Sequence, residues 1–503
     1  MSDYLLGLDN GGTLIKAVLF DTKGQALASA SEATKVISPA SGFNERDMEE
    51  IWTKNVQCIR GVLKKSCVDP KEIRGLAISG HGKGLYILGR QGEILYNSIM
   101  STDNRAWMYP KQWKENGVFE RNYPKLCQNI LANQQLSLLA WLKEHETERY
   151  QKIGLVFSAK DYLRYRLTGE AFCEWSDLSG SALINLRDKK KDQEMLADFG
   201  IPEIYDALPP IKNSYDICGQ ITAEAAAQTG LAQGTPVAGG MFDIDASAVA
   251  MRVLNPNDLI TITGTWSINE YISPVPVMDP QKKLMNSLYA IPGYYLIEES
   301  SATSAGNLEW YLKYYLKETD IPKGKNRYQY AEEQIQTTQT EKSDVYFLPF
   351  LYGSNTHPLA KAAFIGMTLY HSPADMLRAI FEGVAFSHKM HIDRLLTTRK
   401  APKAIRIAGG VTKSPFWTQM FADILNYPLE RVAVKEMGAL GAAMAAGVAG
   451  GLFQDYEDAA EKMSCLDKTV YPNPNMHRKY QVKYEKYKKL CAALDTVWDQ
   501  FTV

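Results

Sequence analysis

Hydrophobic and polar positions alternate along this chain in short blocks, and one block pattern occurs near the start and again near the middle. The apolar run 4–9 is followed by a glycine-rich turn at 10–13 and by a second apolar run at 14–21. The apolar run 259–263 is likewise followed by a Gly-Thr-Trp-Ser turn at 264–267 and by further strand-like residues. Short apolar runs on both sides of a glycine turn are typical of β-hairpins. The sequence therefore predicts one strand–turn–strand unit in each half of the chain.

After the first hairpin, the pattern mixes helix and strand. Asp47 precedes an apolar face with helical spacing, and we interpret it as the N-cap of a helix. That face consists of residues four, three and four positions apart: Trp52, Val56, Ile59 and Leu63. Residues 75–79 predict a strand, 80–84 a glycine-rich turn, and 85–88 a returning strand.

Helical spacing dominates two later regions. It extends from 138 to 166, whereas 236–239 predicts a strand that ends near Asp243. The end of the chain predicts a long helix with an apolar stripe at three- and four-residue steps: Tyr480, Tyr484, Tyr487, Cys491, Leu494 and Trp498. Such a stripe is typical of packing, so we expect this helix to cover the second domain rather than form a cofactor site.

The length of 503 residues exceeds what one hydrophobic core usually serves and predicts two domains of roughly 200–250 residues. We place the boundary where the strand–turn–strand pattern restarts, which gives domains at 1–248 and 249–503. Hydrophobic residues make up 45% and charged residues 22%, as in an ordinary globular protein. The expected fold class is α/β.

Charge and cysteine content exclude several classes of function. A net charge of -1 provides no basic field for nucleic acid or for an anionic membrane surface. No apolar run approaches the ~20 residues that span a bilayer, and the N-terminus lacks the basic region of a secretory signal. Seven cysteines, without a CxxC pair, argue against a disulfide framework and a structural zinc site. We expect a reduced, cytoplasmic enzyme with mostly buried thiols.

The turn at 10–13 has the properties of a phosphate-binding loop. Glycine lets successive backbone N–H groups point at an anion without crowding it, and the threonine adds a hydroxyl donor. Asp9, just before the turn, could hold Mg²⁺ through water, and Lys16 could add a positive charge near the phosphates. The alternative is a plain hairpin with a flexible tip. The absence of a GxxxxGK[ST] motif from the sequence excludes a P-loop fold.

Asp243 follows the predicted strand at 236–239 and is a candidate catalytic base. A carboxylate just beyond a buried strand is well placed to orient an acceptor hydroxyl and take its proton during phosphoryl transfer. The alternative is that Asp243 caps a helix over 246–250, and the two interpretations are compatible.

A second glycine-containing loop, Gly409-Gly410, follows a predicted strand and precedes a helix that Ser414 can cap. Two glycines there permit the close approach of a flat ring or a ribose. Glu436 and a run of small residues at 438–445 follow, which suits close packing of a helix against a sheet or a nucleotide.

These segments, in this order, resemble the motifs of the FGGY carbohydrate kinases, and the resemblance covers essentially the whole chain. Its segments are the first phosphate motif at 9–13, the catalytic position 243, the second phosphate motif at 264–267, the adenosine motif at 409–419, and supporting stretches at 161–169 and 381–386. The resemblance implies two ribonuclease H-like domains of the actin/Hsp70/sugar kinase superfamily, with ATP and a sugar in the cleft between them. It also implies a homodimer, since family members are often dimers.

The resemblance implies three sets of site residues. The nucleotide would be contacted by Asn10, Gly11, Gly12, Thr13, Lys16, Gly264, Thr265, Gly306, Gly409, Gly410 and Ser414. The sugar would be contacted by His81, Gly82, Lys83, Asp103, Arg105 and Asp243. Asp9 and Asp243 would position Mg²⁺, with Asp243 also the general base and ATP the phosphate donor.

Within the family, the chain most resembles the L-xylulose kinases. Gly82-Lys83-Gly84 and the segment 350–355 carry that resemblance. Three features depart from the group: His81 replaces a usual Gln, 133–135 reads Asn-Gln-Gln in place of Gly-His-Pro, and Asp245 is an extra carboxylate. Because polar mismatches in a pocket can change selectivity by ~10⁴ or more, these differences leave the identity of the acceptor sugar open. L-Xylulose comes first, then 3-keto-L-gulonate, another ketopentose or a polyol.

The competing class is an actin/Hsp70-like ATPase that couples nucleotide turnover to a protein partner. It would share both phosphate hairpins and the adenosine loop. It would not need Asp103, Arg105 and the 81–83 turn around an acceptor. ATP turnover measured with and without sugars separates the two classes.

Overall fold

The structure, a computed structural model, describes five stretches of the chain: 3–12, 14–264, 266–340, 343–357 and 359–501. The chain divides into two compact units. Unit 1 comprises Met1–Pro256, Ile272–Ile297 and Val434–Cys465, and unit 2 comprises Asn257–Tyr271, Glu298–Ala433 and Leu466–Val503. The boundary expected from sequence lies near Pro256, where the first segment of unit 1 ends. Sequence patterns do not indicate that 272–297 and 434–465 fold with unit 1.

The strands, numbered in chain order, are β1 Tyr4–Asn10, β2 Leu14–Asp21, β3 Ala26–Ala33, β4 Glu45–Arg46, β5 Ile73–Gly80, β6 Tyr86–Gly89, β7 Ser98–Ile99, β8 Ile153–Phe157, β9 Cys173–Glu174, β10 Ile211–Lys212, β11 Ile217–Gln220, β12 Pro236–Ala238, β13 Met241–Phe242, β14 Ile260–Thr263, β15 Ser267–Ser273, β16 Met285–Leu288, β17 Tyr295–Ser301, β18 Tyr346–Leu348, β19 Ala363–Ile365, β20 Ile405–Gly409, β21 Leu429–Val432 and β22 Leu466–Val470.

The α-helices are α1 Met48–Ser66, α2 Met108–Glu115, α3 Val118–Leu126, α4 Gln135–His145, α5 Thr147–Tyr150, α6 Ala159–Thr168, α7 Trp175–Gly180, α8 Gln193–Asp198, α9 Ile204–Ala207, α10 Ala223–Thr229, α11 Asp243–Ala250, α12 Gly306–Tyr314, α13 Arg327–Gln336, α14 Pro373–Leu396, α15 Pro415–Leu425, α16 Met437–Ala449, α17 Tyr456–Met463 and α18 Pro474–Asp495. Short 3₁₀ turns cover Pro70–Glu72, Glu318–Asp320, Gly410–Lys413 and Trp498–Gln500.

The main sheet of unit 1 has the strand order β11-β12-β5-β1-β2-β3, with β13 also beside β5. β1 and β2 are antiparallel, which confirms the first predicted hairpin. β1 and β13 both run parallel to β5, with Asp9 and Met241 each in register with Ser79. The carboxyl ends of these three strands therefore meet at one edge of the sheet, where α/β proteins commonly bind ligands.

Helix α16 packs closely against this sheet because its residues are small. A Cβ added to Gly7 of β1 would collide with the carbonyl oxygen of Ala439. A Cβ added to Gly441 would collide with the carbonyl oxygen of Ala246 in α11. The small-residue run at 438–445 thus lets one helix contact both β1 and α11, as the sequence predicts for packing against a sheet.

The second large sheet has the strand order β16-β17-β15-β14-β20-β21-β22. β14 and β15 are antiparallel, which confirms the second predicted hairpin. β20 runs parallel to β14 and places Gly409 in register with Thr263. The second hairpin and the Gly409-Gly410 loop are therefore neighbours.

Two helical expectations are wrong in part. The region 138–166 contains strand β8 between helices α5 and α6. Strand β6, the predicted returning strand at 85–88, pairs antiparallel with β8 and not with β5. The five residues of β8 form a short apolar run, buried at three positions and partly buried at two, and runs that short do not reveal their period. At the C-terminus, α18 ends at Asp495, and Trp498 is buried in the 3₁₀ turn that follows.

Two local expectations, the Asp47 cap and the burial of most thiols, are confirmed. The Asp47 side chain accepts a hydrogen bond from the Glu50 N–H and caps α1. All seven cysteines are free, and five of them are buried. Among the described residues, no helix combines the length and apolar character needed to cross a bilayer.

Candidate active site

The first hairpin carries Asp9 and Asn10 to the carboxyl edge of the unit 1 sheet. The Ser79 hydroxyl donates to Oδ1 of Asp9 over 3.2 Å. Asn10 is buried and exchanges side-chain hydrogen bonds of 3.0 and 2.9 Å with Asn55 of α1. The Gly11 N–H donates to the carbonyl oxygen of Leu14 across the turn. Thr13, predicted to contact phosphate, lies outside the described residues.

The carboxyl group of Asp9 is held in an unusual environment. Burial raises its pKa to about 6, while the Lys16 charge and the hydrogen bond from Ser79 act in the opposite direction. The ammonium of Lys16 forms an ion pair with Glu436 at 2.8 Å. A Cβ at Gly438 would lie 2.8 Å from Asp9, so the first turn of α16 contacts this carboxyl group. The positive end of a helix dipole favours negative charge at that place.

Asp243 is the first residue of α11, with Phe242 in the capping position before it. Burial raises its pKa well above the ordinary value, and the charges of Asp9 and Asp177 raise it further. The Ile244 N–H and the charge of Lys83 oppose this effect. A partly buried carboxylate with a raised pKa, beside a second carboxylate, has the character of a general base.

The predicted sugar-side turn, 81–84, lies directly against Phe242. A Cβ at Gly82 would collide with the Phe242 ring, and one at Gly84 would lie 2.6 Å from Cε1 of His81. Lys83 adopts φ of 69°. Two glycines and a left-handed residue thus bring the turn close to Asp243.

His81 is buried beneath this turn. Its Nε2 lies 2.7 Å from a terminal nitrogen of Arg46 and 3.1 Å from the Tyr86 hydroxyl, and its Nδ1 lies 3.4 Å from the Gly82 carbonyl oxygen. Burial and the Arg46 charge lower the pKa of His81 to about 3, so the ring is neutral. Both ring nitrogens are therefore engaged by protein groups.

The Asn-Gln-Gln segment at 133–135 contributes to the same region. The amide of Gln135 donates to the Gly84 carbonyl oxygen over 2.7 Å and fixes the end of the turn. Asn133 donates to the Ser101 carbonyl oxygen. Among the described residues, no donor reaches the buried Oδ1 of Asn133.

Asp103 and Arg105, both predicted to contact the sugar, are buried and bound to each other. The Arg105 guanidinium pairs with Asp103 at 2.9 Å and with Glu45 at 2.7 Å, and it stacks 4.2 Å from the Phe43 ring centroid. Burial alone would lower the pKa of Arg105, but its hydrogen bonds with Asp103 raise it. Asp103 also accepts from the Asn44 N–H. The polar groups of Asp103 and Arg105 are therefore bonded to other protein groups.

A buried ionic cluster lies behind Asp243, and sequence reasoning missed most of it. Lys160 is fully buried, 2.8 Å from Asp161, 3.3 Å from Glu174 and 3.9 Å from Asp177. Burial raises the pKa of Asp177 to about 7, against the charge of Lys160. The only sequence signal was the charged stretch 161–169 within an apolar region.

Asp245, the unexpected second carboxylate, is fully buried in unit 1. Its Oδ1 accepts a hydrogen bond of 2.8 Å from the Ala290 N–H. Burial and the charge of Glu174 raise its pKa well above the ordinary value. The side chain thus ties α11 to the backbone of the segment 272–297.

The nucleotide residues predicted in unit 2 gather around β14. The Thr263 hydroxyl donates to the Ala408 carbonyl oxygen and accepts from the Val411 N–H. Gly409 has φ of +102°, and a Cβ there would lie 2.6 Å from the Thr263 carbonyl oxygen, so only glycine fits. Gly264 directly follows β14 in the turn of the hairpin, whereas Thr265 lies outside the described residues.

Two further predicted residues border this loop. A Cβ at Gly410 would lie 3.4 Å from that of Ala305, which directly precedes Gly306 at the start of α12. Ser414 caps α15 through the Trp417 N–H, as predicted, and its hydroxyl donates to Glu332 over 2.8 Å. The structure therefore brings Gly306, Gly409 and Gly410 together, while the Ser414 side chain is engaged elsewhere.

His388 of α14 supports the second hairpin and was not predicted as a site residue. Its Nδ1 lies within 3.1 Å of polar atoms of Thr261, Ser267 and Asn269, and its Nε2 lies 2.7 Å from the Ser304 hydroxyl. Burial, and then the charge of His391, lower the pKa of His388 well below the ordinary value. A neutral imidazole thus joins β14 and β15 to the loop before α12.

Two glycine hairpins, each beside a parallel strand, and the buried carboxyl groups of Asp9 and Asp243 are the arrangement expected of a phosphotransferase of the sugar kinase class. Residues 4–250 match the model of the FGGY family of carbohydrate kinases, N-terminal domain, and residues 259–450 match that of the C-terminal domain. The chain belongs to the FGGY family of carbohydrate kinases. It is an enzyme that phosphorylates a sugar with ATP, and the α/β fold expected from the resemblance is confirmed.

Individual relatives agree with this assignment. The chain is 38% identical to the "Probable L-xylulose kinase" of Pasteurella multocida (strain Pm70), over 98% of this chain and 99% of the relative. It is 37% identical to the "L-xylulose/3-keto-L-gulonate kinase" of Escherichia coli (strain K12), over 98% of each. A crystal structure of ligand-bound xylulose kinase from Lactobacillus acidophilus matches with a TM-score of 0.92 at 26% identity, over 99% of this chain and 100% of that one. Kinase family membership decides against the actin/Hsp70-like ATPase.

Proposed function

We propose that this kinase transfers the γ-phosphoryl group of ATP to a hydroxyl of a small sugar, with the ketopentose L-xylulose as the first candidate and the sugar acid 3-keto-L-gulonate as the second. The observation that carries the reaction is Asp243, a carboxyl group of raised pKa beside Asp9 and within the field of Lys83. The names of the two relatives at 38% and 37% identity support the choice of acceptor. Another ketopentose or a polyol is the alternative acceptor.

Asp243 is the proposed general base. Its raised pKa makes the ionised carboxylate a stronger proton acceptor than an exposed aspartate. It would orient the acceptor hydroxyl and take its proton as the oxygen bonds to the γ-phosphorus and ADP leaves. Water must be excluded from this step, since it would otherwise compete as the acceptor.

Asp9 and Asp243 are the proposed residues for Mg²⁺. Burial raises the pKa of Asp243 and the charge of Asp9 raises it further, and a divalent cation would offset that repulsion. Among the described residues, no group of three or more His, Cys, Asp or Glu side chains is placed to hold a metal. Two carboxylates suit Mg²⁺, which usually keeps several waters and takes its other ligands from phosphates. When bound, the ion would neutralise charge on the β- and γ-phosphates.

The proposed ATP contacts are the glycine loops that the family resemblance implies. Gly11, Gly12 and Thr13, with Gly264 and Thr265, would donate to the phosphates and stabilise charge on the transferred group. Asn10, Lys16 and Ser414 would act through the loops they hold, since each is bound to another side chain. Gly306, Gly409 and Gly410 would allow the adenosine to approach the backbone.

The proposed sugar contacts are Gly82, Lys83 and Asp243. His81, Asp103 and Arg105 have their polar atoms engaged within the protein, so we propose that they shape the pocket. Selectivity for the sugar would then depend on the 81–84 turn, which hydrogen bonds of His81 and Gln135 hold in place.

We also propose a homodimer, from the family resemblance, and a cytoplasmic location, since all seven thiols are free.

A coupled assay of ADP release tests the acceptor. The panel contains L-xylulose, D-xylulose, L-ribulose, 3-keto-L-gulonate, xylitol and L-arabinitol, each compared with ATP alone. We expect the highest kcat/KM with L-xylulose. A higher value with 3-keto-L-gulonate would favour the second candidate over the first, and a higher value with a pentitol would overturn both. Turnover unaffected by any of the six would overturn the assignment to this group of acceptors. Light scattering against the chain mass of 56.4 kDa tests the dimer.

A further inference from the structure

Arg46 in β4 is an arginine with 1% of its surface exposed, and it lies between two loops of the proposed site. One terminal nitrogen donates to the carbonyl oxygens of Gly11 and Gly12, each at 3.2 Å, and to the Thr34 hydroxyl. The other terminal nitrogen lies 2.7 Å from Nε2 of His81. One guanidinium therefore holds the phosphate hairpin with one arm and the sugar-side turn with the other.

The contact with His81 fixes the state of that ring. An arginine nitrogen only donates, so Nε2 of His81 must be an unprotonated acceptor and the ring proton must lie on Nδ1. Nδ1 points to the Gly82 carbonyl oxygen at 3.4 Å. The Tyr86 hydroxyl lies 3.0 Å from the same arm of Arg46 and 3.1 Å from Nε2. Arg46, His81 and Tyr86 thus form one buried network beneath the turn.

A backbone bond shows that the two loops are direct neighbours. The His81 N–H donates to the Asn10 carbonyl oxygen over 2.9 Å. Glycine loops have wide conformational freedom, and a single backbone bond leaves most of that freedom in place. The guanidinium is a rigid planar fork, so bonding both of its arms also fixes the spacing between the loops.

We propose that Arg46 is a positioning residue that sets the phosphate hairpin in register with the sugar-side turn, so that the γ-phosphate and the acceptor hydroxyl meet at Asp243. The inference rests on the proposed function of these two loops. It explains why a cation is buried where no substrate group needs to touch it. Lysine could not replace arginine, because one ammonium cannot reach both loops in this geometry.

The test is Arg46→Lys, which keeps the charge and removes the fork. Misplacing reacting groups by about 1 Å can cost ~10²-fold in rate, so we expect kcat to fall about 10–10²-fold. The separate dissociation constants for ATP and for L-xylulose, measured by calorimetry, should change less than about threefold, because each loop keeps its own binding groups. The diagnostic readout is uncoupled turnover, the ADP formed in excess of sugar phosphate. It should rise as a fraction of total ADP, since water replaces a misplaced hydroxyl.

Arg378 provides a matched control in unit 2. It is 5% exposed and donates to the carbonyl oxygens of Ile335 and Thr338 and to the Thr340 hydroxyl. Arg378→Lys should lower Tm about as much as Arg46→Lys and leave the uncoupled fraction unchanged. If Arg46→Lys matches this control in kcat and in uncoupled fraction, the inference is overturned.

Tyr86→Phe keeps the inference testable if Arg46→Lys does not fold. It removes one hydroxyl from the network and should raise the uncoupled fraction in the same direction, with a two- to fivefold loss of kcat; no change in either would overturn the inference. Failure of the wild-type enzyme to phosphorylate any sugar in the panel is a different outcome. It refutes the proposed function before either variant is compared.

Discussion

The β1–β2 hairpin in unit 1 and the β14–β15 hairpin in unit 2 have the same backbone plan, with a glycine turn between antiparallel strands and a parallel strand alongside. Their surroundings differ. Charges surround the first: Asp9, Lys16 paired with Glu436, and the Arg46 guanidinium. The second is held by hydroxyl and amide groups around the neutral ring of His388.

This difference indicates a division of labour. Charged groups around a loop shift the pKa values of nearby reacting groups: burial raises the pKa of Asp243, and the charge of Asp9 raises it further. Uncharged groups around a loop fix its conformation without shifting the pKa values of reacting groups. We therefore expect changes around the first hairpin to alter the chemical step, and changes around the second to alter nucleotide affinity.

The largest effect should come from Asp243→Asn, which removes the proposed base. We expect kcat to fall about 10²–10⁴-fold, with ATP affinity within threefold of wild type. Asp245→Asn is the matched control, since an amide oxygen can still accept from the Ala290 N–H and no charge is lost if Asp245 is protonated. Its kcat should stay within about threefold of wild type. Steady-state kinetics and calorimetry measure both variants; equal losses of kcat would refute the distinct role of Asp243.

At the second hairpin, His388→Leu should change the affinity for the nucleotide rather than kcat. The change leaves buried polar atoms of Thr261, Asn269 and Ser304 with fewer partners, at about 1–3 kcal/mol for each atom left unsatisfied. We expect the dissociation constant for an ATP analogue to rise about tenfold, with little change in KM for the sugar.

His391→Leu is the control for this effect, because it removes a buried histidine of the same helix that contacts Glu299 and Ser301 instead. Both variants should lower Tm. Only His388→Leu should weaken nucleotide binding; equal weakening by His391→Leu would show that the effect is general loss of packing.

The fold and the site differ in how far the sequence predicts them. Both hairpins, the Asp47 cap and the Ser414 cap depend on neighbouring residues, so the local pattern is sufficient. The five-residue strand β8 is missed because a short apolar run in a helical region has no distinct period.

Support of the site is less predictable, because its contacts join residues that are distant in sequence. Arg46 reaches back to Gly11 and forward to His81, and His388 contacts residues of β14 and β15. A single polar residue within an apolar stretch does not identify its partners. Glycine and aspartate positions could therefore be proposed from motifs, whereas the actual partners of His81 and Arg105 required the structure.

Acid stability should separate His81 and His388 from exposed histidines. The pKa of His81 is lowered from 6.5 to about 3, so below pH 6.5 the unfolded chain binds a proton that the folded chain does not. The stability associated with His81 is therefore lost as pH falls from 6.5 toward 3, by about 1.4 kcal/mol per pH unit at the steepest. The pKa of His388 is lowered too, so it should act in the same direction.

Urea unfolding at pH 7, 5.5 and 4.5 measures this slope. Removing the titrating ring in His81→Gln should flatten the acid slope relative to wild type, whatever the variant loses at pH 7. His145→Gln, at an exposed position, should keep the wild-type slope. A wild-type slope in His81→Gln would contradict a neutral buried ring.

The smallest expected effect tests whether the charged groups around the first hairpin change KM for ATP. Glu436→Gln breaks the 2.8 Å ion pair with Lys16, whose partners are about one-third exposed. Surface pairs of this kind contribute about 0–1 kcal/mol, so the free energy of unfolding should barely change. The released Lys16 charge should lower KM for ATP up to about threefold at low ionic strength, and salt should abolish the gain because the screening length is about 3 Å at 1 M. The control is Lys462→Met, which breaks a comparable exposed ion pair with Asp458 and should leave KM for ATP unchanged at any salt concentration.

A salt-independent change of KM in Glu436→Gln would mean that the Lys16–Glu436 pair acts through the shape of the hairpin. The two hairpins would then differ less than their charges suggest.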